Sequence, residues 1–141
     1  LQVYLDTASE IEKSVVNMVV DAEEDGYAIR AVTYKGSTED GSGNGTLICA
    51  NGSGYADMAS AADKAKYFSE MFRSMGMGSV TLYMNGDTPL QIALSENGKV
   101  VASDPATGAS SQILLSDNRG ELKAKIVYSA SKGEWVIAES Y

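Results

Sequence analysis

The hydrophobic residues of this chain follow two different periods in turn. Residues 1–5 alternate apolar and polar side chains, as a half-buried strand does. The segment that follows, to about Ala22, repeats its apolar residues every three to four positions, which is typical of an amphipathic helix. Thr7 and Glu10 fit a capping box at the start of that helix. The first element is therefore predicted to be a short strand that leads into a helix.

The same order of elements returns in the second half. A helical period runs from Asp57 to about Met75, and Gly76 is a natural helix stop. Short apolar runs bounded by Gly, Asn and Asp predict further strands. These strands are residues 27–35, 46–50, 80–84, 90–94 and 99–102. The pattern therefore predicts a doubled strand–helix–strand arrangement, with half-patterns over residues 1–53 and 55–105.

The last part of the chain extends this pattern with strands alone. Three apolar runs separated by Gly-containing turns predict strands at residues 112–115, 121–129 and 134–141. The expected fold is α+β, with two helices packed on one side of a mainly antiparallel sheet. A length of 141 residues suits a single domain over residues 1–141, with residues 112–141 as a C-terminal β extension.

The composition excludes several familiar kinds of enzyme. The chain contains no histidine, and Cys49 is its one cysteine. Serine and cysteine hydrolases of the usual kind need a positioned base, and zinc sites need several Cys or His ligands. A Ser–Lys pair or a carboxylate pair stays open, but no motif supports either one. The sequence therefore favours a non-enzymatic binding or assembly module without a cofactor. Its apolar runs are shorter than the roughly 20 residues that span a membrane.

The charge of the chain sets limits on a nucleic-acid partner. The formal net charge is −8, which disfavours phosphate binding by the surface as a whole. A local basic face on the predicted helices stays open. Its members would be Lys13, Lys64, Lys66 and Arg73. The alternative is that these residues simply face solvent and bind no phosphate.

Two acidic, Gly-containing stretches have the spacing that opens an EF-hand loop. Asp21, Glu23 and Asp25 occupy positions 1, 3 and 5 of the first stretch, and a glycine follows. Asp40 and Asn44 occupy positions 1 and 5 of the second stretch. Position 12 of each stretch lacks the required glutamate. A looser calcium site is therefore one hypothesis for these loops, and ordinary turn chemistry is the other.

Several segments resemble the sliding-clamp family, the ring-forming processivity factors of DNA polymerases. In the second half the helix segment AKYFSEMF is followed by a V-T-L strand, an acid-x-Pro-Leu turn and a closing strand. The segments that carry the resemblance are residues 27–32, 43–47, 65–72, 79–92 and 98–101. The resemblance covers about residues 1–105 and includes the doubled layout.

A sliding clamp closes into a ring whose helices line the central hole. The resemblance therefore implies a homo-oligomer that contacts DNA through helix Lys and Arg residues. Carried over to this chain, those residues are Lys13, Lys64, Lys66 and Arg73. A clamp-like protein would be cytoplasmic.

The competing hypothesis is a structural subunit of an extracellular filament, pilus or virion, which self-associates through β-strand edges. Its support is the composition, rich in Ala, Gly and Ser, the acidic pI of about 4.4, and Leu1 as a first residue that suggests processing. Such a protein would be extracellular or part of a virion. A calcium- or ligand-binding module is the third hypothesis. The sequence leaves the compartment unknown.

Overall fold

Two helices lie on one face of a nine-stranded antiparallel sheet in the computed structural model, which describes residues 1–35 and 44–141. This arrangement confirms the predicted α+β class. The elements are α1 (Gln2–Glu24), β1 (Ile29–Tyr34), β2 (Thr46–Asn51), β3 (Gly54–Asp57), α2 (Ala61–Ser74), β4 (Thr81–Leu82), β5 (Leu90–Leu94), β6 (Val100–Val101), β7 (Gln112–Ser116), β8 (Leu122–Ser129) and β9 (Glu134–Ser140).

Helix α1 begins at the start of the chain, so the strand predicted for residues 1–5 is wrong. The alternation in this short segment also fits a helix, because Tyr4 continues the stripe of Ala8, Ile11 and Val15 at helical spacing. The capping box is wrong as well. Thr7 lies inside the helix, where its hydroxyl donates to the carbonyl of residue 3 over 2.7 Å.

The predicted apolar face of α1 is confirmed, and so is its end. Ile11, Val15 and Ala22 are fully buried. Gly26, with φ of 95°, provides the left-handed residue that closes many helices, and the N–H of Tyr27 donates to the carbonyl of Ala22 over 3.0 Å. The stripe therefore holds α1 against the sheet along most of its length.

Helix α2 begins later than its periodicity predicts. Ser60 is the N-cap, and its hydroxyl accepts a hydrogen bond from Asp63 N–H over 3.1 Å. The predicted start at Asp57 is wrong because residues 54–57 form β3, which pairs with β2 as a hairpin. The pairing of β3 with β2 therefore prevents α2 from beginning at Asp57.

The sheet mixes strands from all three sequence segments. Its main order is β3-β2-β1-β5-β7-β8-β9, while β4 pairs with β7 and β6 pairs with β5. The three C-terminal strands are confirmed as β7, β8 and β9. The first half-pattern lacks the leading strand that the doubled arrangement requires. In the second half a strand, β3, does precede the helix α2. The first half therefore begins with a helix and the second half with a strand.

The core lies between the helices and one face of the sheet. Alternating side chains of the strands, such as Val32, Ile92 and Ile113, are fully buried there. Tyr34 of β1 contacts the rings of both phenylalanines of α2, with ring centroids 5.4 Å and 4.6 Å away. Neither helix in the described part of the chain is long and apolar enough to cross a membrane.

Gly45 lets α2 approach the chain just before β2. A Cβ atom on Gly45 would lie 2.6 Å from the ring of Phe68, closer than real Cβ atoms come. A larger residue would force the aromatic cluster to move, because a packed core has little free space.

Candidate functional site

The sheet ends in two edge strands, β3 on one side and β9 on the other. In the part of the chain that the structure describes, no strand pairs with the outer side of either one. Neither strand contains a lysine or a proline, two residues with which proteins commonly protect an exposed edge. Both edges therefore keep main-chain groups that can pair with another strand.

Hydrogen bonding identifies the outward-facing residues of β3. The N–H of Met58, just after β3, donates to the carbonyl of Leu47 on β2 over 2.8 Å. Residues that face the partner strand alternate in an antiparallel ladder, so Ala56 also faces β2. The main-chain groups of Tyr55 and Asp57 then point away from the sheet. All of β3 is exposed, and Tyr55 is 47% accessible.

Hydrogen bonding likewise identifies the outward-facing residues of β9. The N–H of Tyr128 on β8 donates toward β7, to a carbonyl 3.2 Å away. The preceding residue, Val127, therefore faces β9, where it pairs with Val136. The main-chain groups of Trp135 and Ile137, on either side of Val136, point away from the sheet.

Lys64 and Lys66, two of the predicted DNA-contacting residues, lie beside acidic side chains. Lys64 Nζ is 2.7 Å from Asp57 Oδ2, and Lys66 Nζ is 3.5 Å from Asp25 Oδ2. Both carboxylates are exposed, so solvent screens these ion pairs. Positions 64 and 66 lie about 200° apart around a helix, so the two lysines point in different directions.

Lys13 lies on a mostly acidic helix, and Arg73 lines a groove that also contains carboxylates. Lys13 is exposed and is the single basic residue of α1. The acidic residues of α1 are Asp6, Glu10, Glu12, Asp21, Glu23 and Glu24. Arg73 lines a groove of about 510 Å³ between α1 and α2, together with Asp21 and Glu70. The structure therefore does not bring the four predicted basic residues together on one positive surface.

The three acids of the first predicted calcium loop have different surroundings. Asp21 lines the groove between the helices, whereas Glu23 lines a small cleft beside β1. Asp25 accepts a hydrogen bond from the hydroxyl of Tyr67. The three acids therefore do not form one group that could hold a metal ion.

Of the second predicted calcium loop, Asp40 lies outside the described residues. Asn44 is exposed, and its main-chain N–H donates to the carbonyl of Lys35 over 3.2 Å. Among the residues that the structure describes, no three Asp, Glu, Cys or His side chains gather where they can hold a metal ion. Calcium binding by these loops stays a prediction.

Two tyrosine–aspartate hydrogen bonds fasten the end of α1 to the start of α2. Tyr67 donates to Asp25, and Tyr27 donates to Asp63. The two tyrosine rings are perpendicular, with centroids 6.0 Å apart. We call these four residues the Tyr–Asp cluster.

Contacts in the Tyr–Asp cluster lower the pKa of Asp25 and raise the pKa values of the two tyrosines. The hydrogen bond from Tyr67 lowers the pKa of Asp25, and the nearby Lys66 lowers it further. Burial raises the pKa of Tyr67, and its bond to Asp25 adds to that effect. The bond to Asp63 raises the pKa of Tyr27. Ionised Asp25 and the neutral forms of both tyrosines therefore persist over a wide pH range, which suits a structural contact.

Cys49 lies on β2 and lines a pocket of about 250 Å³ beside Asp57. Burial raises the pKa of its thiol, and the Asp57 carboxylate raises it further. The thiolate is the nucleophile, so this environment weakens the reactivity of Cys49.

Sequence reasoning missed a pocket around Arg30. The pocket has a volume of about 400 Å³ and lies where β1 begins, next to the β2–β3 turn and Glu96. Arg30 occupies a β-bulge, since the register of β1 against β2 shifts between Ile29 and Ala31. A bulge depends on the pairing of two strands, and no local pattern in the sequence marks it.

No model of a known protein family matches the chain, and neither a curated protein nor a solved structure matches it. The resemblance to sliding clamps therefore stays a prediction.

Proposed function

We propose that this protein is a non-enzymatic assembly subunit, whose copies join when β9 of one copy adds to β3 of the next. The observation that carries the proposal is the pair of unpaired edges on opposite sides of one sheet. Strand addition draws its affinity from main-chain hydrogen bonds, which both edges offer. The joined copies would form one continuous sheet.

Pairing between unlike edges favours open-ended growth. β9 has seven residues and β3 has four, so β9 is long enough to pair with the whole of β3. Each added copy leaves one free edge of each kind, and growth continues unless the geometry closes a ring. Because β3 is short, each contact supplies few hydrogen bonds. The expected dissociation constant is about 0.1–1 mM.

Proline substitutions at outward-facing positions test the two edges separately. Tyr55→Pro blocks β3 and Ile137→Pro blocks β9, since proline removes an outward N–H without removing a bond inside the sheet. The matched controls are Tyr55→Val and Ile137→Val, which keep the N–H. We expect each proline variant alone to be monomeric, and each valine control to associate. Far-UV circular dichroism and thermal melts check that all four variants fold.

Mixing the two proline variants provides the decisive result. One variant has a free β9 and the other a free β3, so an equimolar mixture should form a one-to-one dimer by analytical ultracentrifugation. A dimer formed by either proline variant alone would contradict pairing between unlike edges. Unchanged association of both variants would contradict edge pairing altogether.

DNA contact through the helices, as the clamp resemblance implies, is the second candidate. Its support is that Lys13, Lys66 and Arg73 are exposed on α1 and α2. We rank it below assembly because α1 carries six acids and a single lysine. We expect no binding of a 30-base-pair duplex tighter than about 100 µM near physiological salt, measured by fluorescence anisotropy. Tighter, salt-dependent binding that Lys66→Glu and Arg73→Glu abolish would reverse this ranking.

A further inference from the structure

The pocket beside Arg30 combines opposite charges with an accessible aromatic ring. Arg30 of β1 and Glu96, in the turn after β5, both line it. The turn between β2 and β3 supplies Ser53, and β3 supplies Tyr55. Its volume of about 400 Å³ falls within the usual range for small-ligand sites.

Arg30 is half-buried without a counter-ion in the described part of the chain. Within residues 1–35 and 44–141 its guanidinium has neither a salt bridge nor a side-chain hydrogen bond. Arginine stays charged at every ordinary pH and carries five N–H donors. A guanidinium at the wall of a pocket, with no acceptor from the described residues, has its donors available for an acceptor brought by a ligand.

The β-bulge gives Arg30 a position that a regular strand would not. The register shift between Ile29 and Ala31 places two residues of β1 opposite one of β2. Bulges occur frequently beside binding sites, where they redirect a side chain. The bulge and the missing counter-ion are independent observations, and both point to Arg30 as the anchor of the pocket.

The charges of the pocket define the ligand. Guanidinium groups bind carboxylates through two parallel hydrogen bonds. Glu96 would repel a plain anion, and Arg30 would repel a plain cation. A molecule with a carboxylate next to an ammonium satisfies both groups. The exposed ring of Tyr55, 47% accessible, offers contact area to an apolar side chain.

We propose that this pocket binds a small zwitterion of the amino-acid class, with its carboxylate on Arg30 and its ammonium on Glu96. The proposal stands independently of edge assembly. It assigns the aromatic or aliphatic side chain of the ligand to the surface of Tyr55.

Three probes that share one phenyl group separate the two charges. L-phenylalanine carries both charges, 3-phenylpropanoate carries the carboxylate alone, and phenethylamine carries the ammonium alone. We expect saturable shifts of the Gly52 and Gly54 amide signals in two-dimensional NMR with L-phenylalanine, with a dissociation constant of about 1 mM. The other two probes should bind about tenfold more weakly, since each leaves one charge of the pocket unpaired.

Three variants assign the contacts. Arg30→Gln and Glu96→Gln should each weaken L-phenylalanine binding about tenfold, because each removes one charged contact. The exposed Lys132→Gln is the control and should change nothing. Glu96→Gln should not weaken binding of 3-phenylpropanoate. Since Glu96 is exposed, this variant tests the proposal even if Arg30→Gln folds poorly.

Three results would overturn the proposal. The first is the absence of saturable shifts up to about 10 mM L-phenylalanine, ten times the expected dissociation constant. The second is phenethylamine binding as tightly as L-phenylalanine, and the third is equal binding by folded Arg30→Gln. Either of the last two would show that no carboxylate contact with Arg30 contributes to binding.

Discussion

β9 carries its own core anchor, a buried tryptophan, whereas every residue of β3 is exposed and the strand is held by β2, by one carboxylate and by the buried Met58 that follows it. Trp135 is 7% exposed, its indole N–H donates to Glu12 over 2.7 Å, and its ring is perpendicular to that of Tyr128. Asp57 accepts hydrogen bonds from the N–H of Leu47 at 2.9 Å and from Lys64 at 2.7 Å.

Because of this difference, we expect the two edges to differ in how easily they open. The anchor of β9 is apolar and belongs to the core between the helices and the sheet, so β9 should move only when the whole domain unfolds. The residues of β3 are all exposed and its carboxylate anchor is open to solvent, so the strand should open locally up to the buried Met58. In strand addition, β9 would act as the fixed template and β3 as the adaptable strand.

Trp135→Ala should have the largest effect on stability. Removing a buried tryptophan leaves a cavity and typically lowers the free energy of unfolding by about 3–5 kcal/mol. Tyr55→Ala on β3 is the matched aromatic control and should cost less than about 1 kcal/mol, because Tyr55 is exposed. Urea denaturation measures both. Equal losses from the two substitutions would remove the contrast between the edges.

Asp57→Ala should loosen β3 without unfolding the domain. The substitution removes the acceptor for Leu47 N–H and the partner of Lys64, and we expect about 1 kcal/mol or less, since solvent screens this exposed carboxylate. Hydrogen exchange should accelerate at the amides of Ala56 and Met58, which face β2. Exchange at the amides of Val127 and Val136, which face each other between β8 and β9, should stay unchanged. Acceleration at both sites would mean that the edges open together.

Tyr67→Phe should have a smaller, pH-dependent effect on the β3 side of the molecule. The pKa of Asp25 is lower in the folded state, so its contribution is present above its unfolded pKa of about 3.9 and is lost as the pH falls through the folded value. The pKa of Tyr67 is raised, so its contribution is present below about pH 10 and is lost above its folded value.

The cost of Tyr67→Phe should therefore be constant between about pH 5 and 9 and should shrink toward pH 2. Urea denaturation of the wild type and the variant at each pH measures this difference. Tyr128→Phe, whose hydroxyl donates to the carbonyl of Gly133 near β9, is the control without a titrating partner. A cost of Tyr67→Phe that stays constant down to pH 2 would contradict the role of ionised Asp25.

The sequence predicts the architecture better than it predicts the starts of elements. The C-terminal strands and the apolar face of α1 follow from periods of two and of 3.6 residues, which are local properties. The segment of residues 1–5 fits both periods. It is a helix in the structure, where Tyr4 and Leu5 pack against the core. The start of α2 depends on the pairing of β3 with β2. The helical period of the segment contains no information about that pairing.

The candidate sites are less predictable than the fold. Edge strands are defined by what does not pair with them, and the sequence does not reveal the order of strands in the sheet. The Tyr–Asp cluster joins Asp25 to Tyr67 across 42 positions, so no local pattern marks it. The sequence predicts Arg30 to be an ordinary strand residue, because the bulge at this position depends on the pairing of β1 with β2. Lys64 and Lys66 do lie on α2 as predicted, but the sequence did not predict that Asp57 and Asp25 would lie beside them.

The most direct test of edge-to-edge assembly is the solution mass of the wild-type protein, measured by sedimentation velocity over concentrations from about 10 µM to 1 mM. Open-ended addition of β9 to β3 predicts an average mass that rises throughout this range and returns to the monomer on dilution. A constant mass over the whole range, whether of a monomer or of one closed ring, would contradict it.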